Sequence, residues 1–370
     1  MQFLEDAPLA GRRVLLRING NVPLGGKKAK LVADDYRLRQ VLPTIHYLLD
    51  YQAKVILLAH LGRPEGKIDH QLSLRPVYLH LSALLKKPIQ FAPTLFSEAT
   101  RRAVEGLGDG EILALENLRF DPGEQKNSRT FAAKLAKYGD IYVNDAFSDS
   151  HNAAASVEAI ADLLPSYGGL LLEREVQILS GLMKHPSRPY VAVVGGAKIA
   201  NKLPTIRQLI RHADRVLVGG GVANTFLQAA GQDIKQSLCD SEYLDAAKEI
   251  LKLGKGKLVL PTDFVWRKNA IVDLGSETQA HYAKILKGAE TVFWTGPLGL
   301  VEEEKYQAAS LNVARAMIDS GATTVVGGGD TVGFVNQAKL AKQFAFVSTG
   351  GSATLEYLSG QTLPGLKALG

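Results

Sequence analysis

The 370-residue chain has a single cysteine, Cys239, so no disulfide can close within it and no cysteine cluster is available for zinc. No apolar run approaches the ~20 residues that a membrane-spanning helix needs. The first residues, MQFLEDAPLAG, are acidic and lack the apolar stretch of a signal peptide. Short-period repeats and low-complexity tracts are missing. So are a GxxxxGK[ST] phosphate loop, a HExxH helix, a calcium loop, a CxxC redox pair and a Ser/His/Asp nucleophile elbow. No stripe of interleaved aromatic and basic residues marks a nucleic-acid surface. These absences lead us to expect a soluble protein of a reducing, cytoplasmic compartment, with neither a nucleic-acid nor a membrane partner.

The composition is ordinary for a globular protein, 46% hydrophobic and 22% charged. The net charge is +6 and the pI about 9.1, a balance that suits an acidic small molecule or nucleic acid without choosing between them. The length makes two domains the default expectation.

In the first half, VLLRI (14–18), KVILLAH (54–60), EILALEN (111–117) and DIYVND (140–145) are apolar runs of strand length. LRQVLPTIHYLLD, LRPVYLHLSALLKK and SRTFAAKLAKYG lie between them and carry helical periodicity. Such a βαβ series predicts an α/β fold with a doubly wound, mainly parallel sheet. In the second half, YVAVVGGAKIANKL (190–203) predicts a strand, a Gly195-Gly196 turn and a helix opening with Lys198 and Lys202 on one face. The same form recurs in RVLVGGGVANTF (215–226), TVFWTGPLG (291–299), TTVVGGGDTVGFV (323–335) and FAFVSTGGSATL (344–355). A connector, LLPSYGGLLLEREVQILSGLMKHPSRP (163–189), holds one helix that stops before Pro186.

In a doubly wound sheet the carboxyl ends of the strands converge at one edge. In the first half this gathers Asn19 and Asn21 after Arg17, His60 and Arg63 of HLGRP, Arg119 of ENLRF and His151 of NDAFSDSH, with Arg37 opening the first helix. Converging Arg and His form a seat for phosphate or carboxylate, the guanidinium forks offering paired donors. Taken singly, each reads equally well as a solvated surface cation, and His151 as a capping histidine. In the second half, glycine turns at helix starts offer unpaired N–H groups and a positive dipole end to a phosphate; any one of them also reads as a structural turn. Phosphoryl transfer asks for positioning and charge neutralisation more than covalent chemistry. Lys198, Lys202, Arg37 and the turn Gly350-Gly351-Ser352 supply cations and N–H donors. Asp330 reads as a Mg²⁺ ligand or a helix N-cap. Glu302 reads as an acceptor for ribose hydroxyls or a first-turn acid.

From end to end the chain resembles the phosphoglycerate kinases. The match is carried by LLRINGNVPL, DDYRLRQVLPTI, LLAHLGRP, LENLRF, YVNDAFSDSH, RPYVAVVGGAKIANKL, VGGGVANTFL, VFWTGPLGLVEEE, VVGGGDTVGFV, STGGSATLEYLSG and LPGLKAL, in order and at fitting spacing. The resemblance implies two Rossmann-like domains: 1–170 for the acid, a hinge helix over 171–185 and 186–354 for the nucleotide. The tail 355–370 is expected to return to the first domain. It implies a monomer that closes over both substrates, with reversible Mg²⁺-dependent phosphoryl transfer between 1,3-bisphosphoglycerate and ADP, giving 3-phosphoglycerate and ATP. The family's acid-binding residues fall on Asn19, Asn21, Arg37, His60, Arg63 and Arg119, with His151 and Asn152 in the fourth strand loop. Its nucleotide residues fall on Gly196, Lys198, Lys202, Gly219, Gly220, Gly221, Pro297, Glu302, Gly328, Gly329, Asp330 and Thr331, with Asp330 beside the metal. Arg37, Lys198, Lys202, Gly350 and Gly351 are the residues implied in the transfer itself.

The chain departs from the family's pattern inside these motifs. Asn19 stands for Asp, Asn152 for Arg, Asn201 for Asp, Thr295 for Asn and Ser352 for Gly. Losing the guanidinium fork at 152 is expected to cost roughly 2–4 kcal/mol of acid binding. Asn19 can still hydrogen-bond substrate hydroxyls without the charge. A Cβ at Ser352 is expected to crowd its turn. The stretch LVLPTDFVWRKNAIVDLG is trimmed. The alternatives are a member that binds nucleotide or partners with weak or no turnover, and a kinase of another small acid. The retained Lys198, Lys202, Arg37, Asp330 and Glu302 favour a kinase.

Overall fold

In the computed structural model, which describes residues 1–25 and 31–370, the apolar runs pair side by side in two separate six-stranded sheets. The first sheet runs, edge to edge, Gln90–Ala92, Ile112–Leu115, Lys54–Leu58, Arg13–Arg17, Ile141–Asn144 and Ser166–Gly168. The second runs Leu258–Val259, Arg215–Val218, Tyr190–Val194, Thr291–Thr295, Thr323–Gly327 and Phe346–Val347. Every neighbouring pair in both is parallel. Counted along the chain, the second sheet has the order 3-2-1-4-5-6, the dinucleotide-binding arrangement. Parallel neighbours need a crossover, and the crossovers are helices that cover the sheet faces. This is why the central strands Tyr190–Val194 and Thr291–Thr295 are buried at every residue.

The strands expected at 14–18, 54–60, 111–117 and 140–145 are present, the first shifted back by one residue and the others shorter by two or three. Gln90–Ala92, Ser166–Gly168 and Leu258–Val259 had no signature, because two or three residues cannot show a pattern. The helices Tyr36–Asp50, Arg75–Leu85 and Arg129–Ala136 stand where the periodicity put them. One expectation fails. No helix opens at Lys198; the segment is a chain of turns, and the helix is Leu203–His212, with Pro204 in its first turn and Lys202 at its N-cap. Proline favours the first turn, where its missing N–H is no loss. The N–H groups of Ile199 and Ala200 donate instead to the Asp240 carboxylate, at 2.7 and 3.3 Å.

By its contacts the chain divides into one unit of Met1–Val176 with Thr362–Gly370, and another of Gln177–Gln361. The boundary falls within the helix Leu170–Lys184. The helix Ser352–Leu358 belongs to the second unit, so the return to the first begins later than residue 355. The hydroxyl of Thr205 donates to the Leu355 carbonyl at 2.9 Å and holds it there. In the tail, the Gly365 N–H donates to the Ser150 carbonyl at 2.9 Å within the first unit. Among the described residues no helix is long and apolar enough to cross a membrane.

Asp145, just past the strand Ile141–Asn144, is fully buried, and its Oδ1 accepts the Leu172 N–H at 3.0 Å. Its other oxygen has no hydrogen-bond partner. Burial pushes this carboxyl up to about 6, against the pull of the nearby Thr44 hydroxyl and of backbone N–H donors. With the folded value above the unfolded one, the contribution to stability is complete below the unfolded pKa and is lost as pH rises through the folded pKa. Asp145→Asn keeps an acceptor for Leu172 and removes the titration. Urea unfolding at about pH 4 and about pH 8 should show the variant gaining on the parent by up to about 3 kcal/mol at the higher pH. A difference independent of pH would mean that Asp145 is not strained by burial.

Candidate functional site

In the first unit the strand-end residues form one hydrogen-bonded frame. Asn21 is its centre. Its N–H donates to Asn19 Oδ1 at 2.9 Å, its Oδ1 accepts the Gly62 N–H at 3.1 Å, and its carbonyl accepts from Arg37 Nη1 at 2.8 Å. Arg119 Nη1 donates to the Gly62 carbonyl at 2.7 Å. The amide of Asn19 donates to the Ser148 hydroxyl. Both polar ends of Asn19 are thus engaged inside the protein.

Beneath this frame lies a set of buried charges. Arg17, the last residue of its strand, is 1% exposed. Its Nε donates to Ser156 Oγ at 2.9 Å, Nη1 donates to the Ile18 carbonyl, and Nη2 lies 2.9 Å from His60 Nδ1. Asp149 Oδ2 stands 3.1 Å from Arg17 Nη1 and 3.7 Å from His60 Nδ1. Ser156 is tied to buried Glu124, Oγ to Oε1 at 2.6 Å and N–H to Oε2 at 2.9 Å. Burial pushes His60 down to about 3, with Arg17, Arg119 and Arg37 adding to the effect and Asp149 opposing it. Burial alone would raise Asp149, but the positive charges around it, Arg17, Arg119 and Arg37 among them, hold it below the usual carboxylate range. Burial also lowers Arg119, opposed by the charge of Asp149, while Arg17 and Arg63 add to the lowering.

The structure therefore brings together Asn19, Asn21, Arg37, His60 and Arg119. Arg63 is exposed and reaches the group through its charge on Arg119. His151 and Asn152 bond to one another at 3.2 Å and make no hydrogen bond to the frame; His151 Nδ1 is buried without a partner. Asp149, Ser156 and Glu124 carry no signal of their role in the sequence, and Arg17, which the strand-end rule groups with the converging cations, turns out to be buried beneath them. An arginine in an otherwise apolar strand was the available signal, since a fully buried charge requires partners.

In the second unit the glycine turns pack on one another. The N–H groups of Gly195 and Gly196 donate to the Thr295 and Pro297 carbonyls at 2.8 and 2.6 Å. The Gly220 N–H donates to the Leu298 carbonyl at 3.0 Å and the Val222 N–H to that of Gly196 at 3.2 Å. A Cβ at Gly221 would collide with the Ala197 carbonyl, so these glycines first serve to let three strand-end turns touch through their backbones. Thr331 is fully buried, and its hydroxyl accepts the Gly296 N–H at 2.6 Å, which ties the helix Gly329–Gln337 to the 296–297 turn. Lys202 lies over Gly196 and is lowered by burial, with Asp330 and Asp240 opposing. Lys198, Asp330 and Glu302 are exposed, whereas Pro297 and Gly350 are buried. Gly219, Gly328, Gly329 and Gly351 occupy the helix starts of the same edge. Ser352 is exposed as the first helical residue, so its Cβ does not crowd the turn; the positive φ falls on Gly351 instead.

Thr331→Val removes the acceptor of a buried N–H at nearly constant volume. It should cost about 1–3 kcal/mol in thermal unfolding and weaken nucleotide binding measured by calorimetry. If neither changes, the 296–297 turn is not held from Thr331.

A profile of the phosphoglycerate kinase family matches residues 4–361. The chain is 46% identical over 387 residues to the phosphoglycerate kinase of Desulforudis audaxviator, covering 99% of this chain and 98% of that one. It is 41% identical over 393 residues to that of Herpetosiphon aurantiacus, covering 100% and 98%. Among solved structures, phosphoglycerate kinase from Coxiella burnetii superposes with a TM-score of 0.87 at 35% identity, covering 99% of this chain and 98% of its own. The enzyme from Pyrococcus horikoshii superposes with a TM-score of 0.89 at 30% identity, covering 100% and 98%.

Proposed function

The chain belongs to the phosphoglycerate kinase family, and from that premise we propose which of its residues carry the family's reaction. It is a glycolytic kinase that transfers a phosphoryl group to and from a carboxyl acceptor, interconverting 1,3-bisphosphoglycerate with ADP and 3-phosphoglycerate with ATP.

In our reading the acid is held at the strand-end frame of the first unit. Arg37, Arg63 and Arg119 meet its anionic groups, His60 and Asn21 offer hydrogen bonds, Asn19 orients Asn21, and His151 and Asn152 flank the phosphate. The observation that carries this is the convergence of Asn21, Arg37, His60 and Arg119 at the carboxyl edge of a parallel sheet, where such folds take ligands. The nucleotide is held at the glycine edge of the second unit. Gly196, Gly219 to Gly221, Pro297 and Thr331 shape its seat, Glu302 accepts from its ribose, and Lys198 and Lys202 meet its phosphates. Gly328 and Gly329 begin the helix that presents Asp330. Gly350 and Gly351 supply donors to the group in flight, alongside Arg37 and Lys198. We place the reaction in the cytoplasm and in a monomer.

Among the described residues no three His, Cys, Asp or Glu gather to hold a metal. A single exposed carboxylate, Asp330, fits a Mg²⁺ that arrives on nucleotide phosphates, since this ion keeps several waters and takes one or two carboxylates. Bound there it would neutralise charge on the phosphate oxygens.

A coupled assay of ATP formation from 1,3-bisphosphoglycerate tests the reading. Asp330→Asn should raise the KM for Mg·ADP and leave that for the acid unchanged; equal effects on both would remove Asp330 from the nucleotide site. Asn152→Arg restores a guanidinium fork beside the acid's phosphate. It should lower the KM for 3-phosphoglycerate about tenfold, which is about 1.4 kcal/mol, with the KM for ATP unmoved. An unchanged acid KM would show that another cation already serves that phosphate.

A further inference from the structure

His60 Nδ1 has two suitors. Arg17 Nη2 is 2.9 Å away and Asp149 Oδ2 is 3.7 Å away. They demand opposite states of the ring. A guanidinium has only hydrogens to give, so contact with it requires a bare nitrogen lone pair at Nδ1. A carboxylate would favour a hydrogen on that nitrogen, and with it the imidazolium. Distance decides between them: 2.9 Å is a hydrogen bond and 3.7 Å is not. Asp149 Oδ2 pairs in charge with Arg17 Nη1 at 3.1 Å and makes no hydrogen bond to either the guanidinium or the ring.

Arg17 cannot swing away from this arrangement. Its Nε is bonded to Ser156, its Nη1 to the Ile18 carbonyl, and Ser156 is locked in turn by Glu124. His60 is only 2% exposed, and the charges that face it are Asp149, Arg17, Arg119 and Arg37. The summed effect of burial and the three guanidiniums disfavours a further positive charge on the ring. The resemblance puts a carboxylate at position 19. Here the Asn19 amide donates to Ser148 instead, and the carboxylate of the cluster is the next residue along the chain, Asp149.

We propose that Arg17 and Asp149 are positioning residues that hold His60 as the neutral ring with its hydrogen on Nε2, so that it meets the acid substrate as a hydrogen-bond donor and not as a cation. Arg17 acts directly, by occupying Nδ1. Asp149 acts through Arg17, by neutralising a guanidinium that would otherwise be buried unpaired. The hydrogen bond that the ring makes to a side chain is at Nδ1, which leaves the Nε2 hydrogen for the ligand. The acid's charge is then met by Arg37 and Arg119, and the histidine contact stays constant across the neutral pH range. The part that concerns substrate rests on the placement of the acid at this frame.

The test is long-range ¹H–¹⁵N spectroscopy of the full ¹⁵N-labelled chain, with the His60 ring assigned by its loss in His60→Gln. The expected pattern is a bare Nδ1, a protonated Nε2 and no titration between about pH 5 and about pH 8. A hydrogen on Nδ1, or an imidazolium at neutral pH, overturns the proposal, and this measurement on the parent chain decides the tautomer even if variants fail to fold. Arg17→Lys keeps the buried charge but cannot serve Asp149 and His60 at once. It should move the ring hydrogen to Nδ1, toward Asp149, and raise the KM for 3-phosphoglycerate about tenfold with that for ATP unchanged. An unaltered tautomer in Arg17→Lys also overturns the proposal. Adding 3-phosphoglycerate to the parent should shift the Nε2 signal. A ring protonated on Nε2 whose signals ignore the acid would refute the placement of substrate here while the pairing of Arg17 with His60 stood.

Discussion

Every strand of the two six-stranded sheets runs parallel to its neighbours, and that one constraint decides where polar chemistry can sit. Parallel ladders require crossover helices on both faces, so the strand interiors are sealed from water and must be apolar. Polar residues are pushed to the strand ends. In the second sheet the chain order reverses once, between Tyr190–Val194 and Thr291–Thr295; in the first, whose order along the chain is 3-4-2-1-5-6, the connections likewise run in opposite directions from Arg13–Arg17 and from Ile141–Asn144. The connections diverge at such a point and leave a crevice beyond the carboxyl ends. Arg17, Asn19 and Asp149 occupy that place in one unit, and Gly195, Gly196, Gly296 and Pro297 occupy it in the other.

The two edges meet different physical demands. In the first unit the demand is electrostatic. Arg17 is a guanidinium taken almost wholly out of water, a state tolerable only with its charge paired and its donors used. Asp149, Ser156, the Ile18 carbonyl and His60 together meet that condition. In the second unit the demand is steric. Turns from three strands must meet close enough for Gly196, Gly220 and Val222 to exchange backbone hydrogen bonds with their neighbours, and side chains would hold them apart. Few groups there carry charge: Lys198 and Asp330 stand in solvent at the rim, and Lys202 lies half-buried over Gly196.

The same division explains what the sequence made legible. Strand runs and amphipathic helices are local, and the rule that parallel strand ends converge is enough to gather Asn21, His60 and Arg119, with Arg37 at the start of the first helix. The bonds that complete the site are not local. Arg17 and Ser156 are 139 residues apart, and Asn19 and Ser148 are 129 apart. Nothing in SDSH distinguishes a buried Asp149 from a loop aspartate until the fold brings Arg17 to it. The start of the lysine-bearing segment failed for a similar reason. Propensity and spacing permitted a helix from Lys198, and the acceptor that drew Ile199 and Ala200 into a turn is Asp240, some forty residues on. The short edge strands escaped because their identity comes from the neighbour they pair with.

The buried and exposed members of the acid-side cluster contribute differently to its field. Arg17 and Asp149 form a nearly enclosed pair of opposite charge, and its net field at the surface is small. His60, held neutral by burial, adds none. The uncompensated positive charge therefore rests on Arg37, Arg63 and Arg119, the members that keep contact with solvent. Burial has sorted the cluster into an inner set that fixes geometry and an outer set that attracts an anion. Charge that is fully desolvated and paired costs free energy but sets orientation; charge left partly in water keeps its attraction for a diffusing ligand. On this account the replacement of a carboxylate at 19 by Asn and the presence of one at 149 alter the inner set alone. The outer set that draws the anion retains its guanidiniums, so the site can keep its attraction for an acid while the route by which its hydrogen bonds are oriented differs.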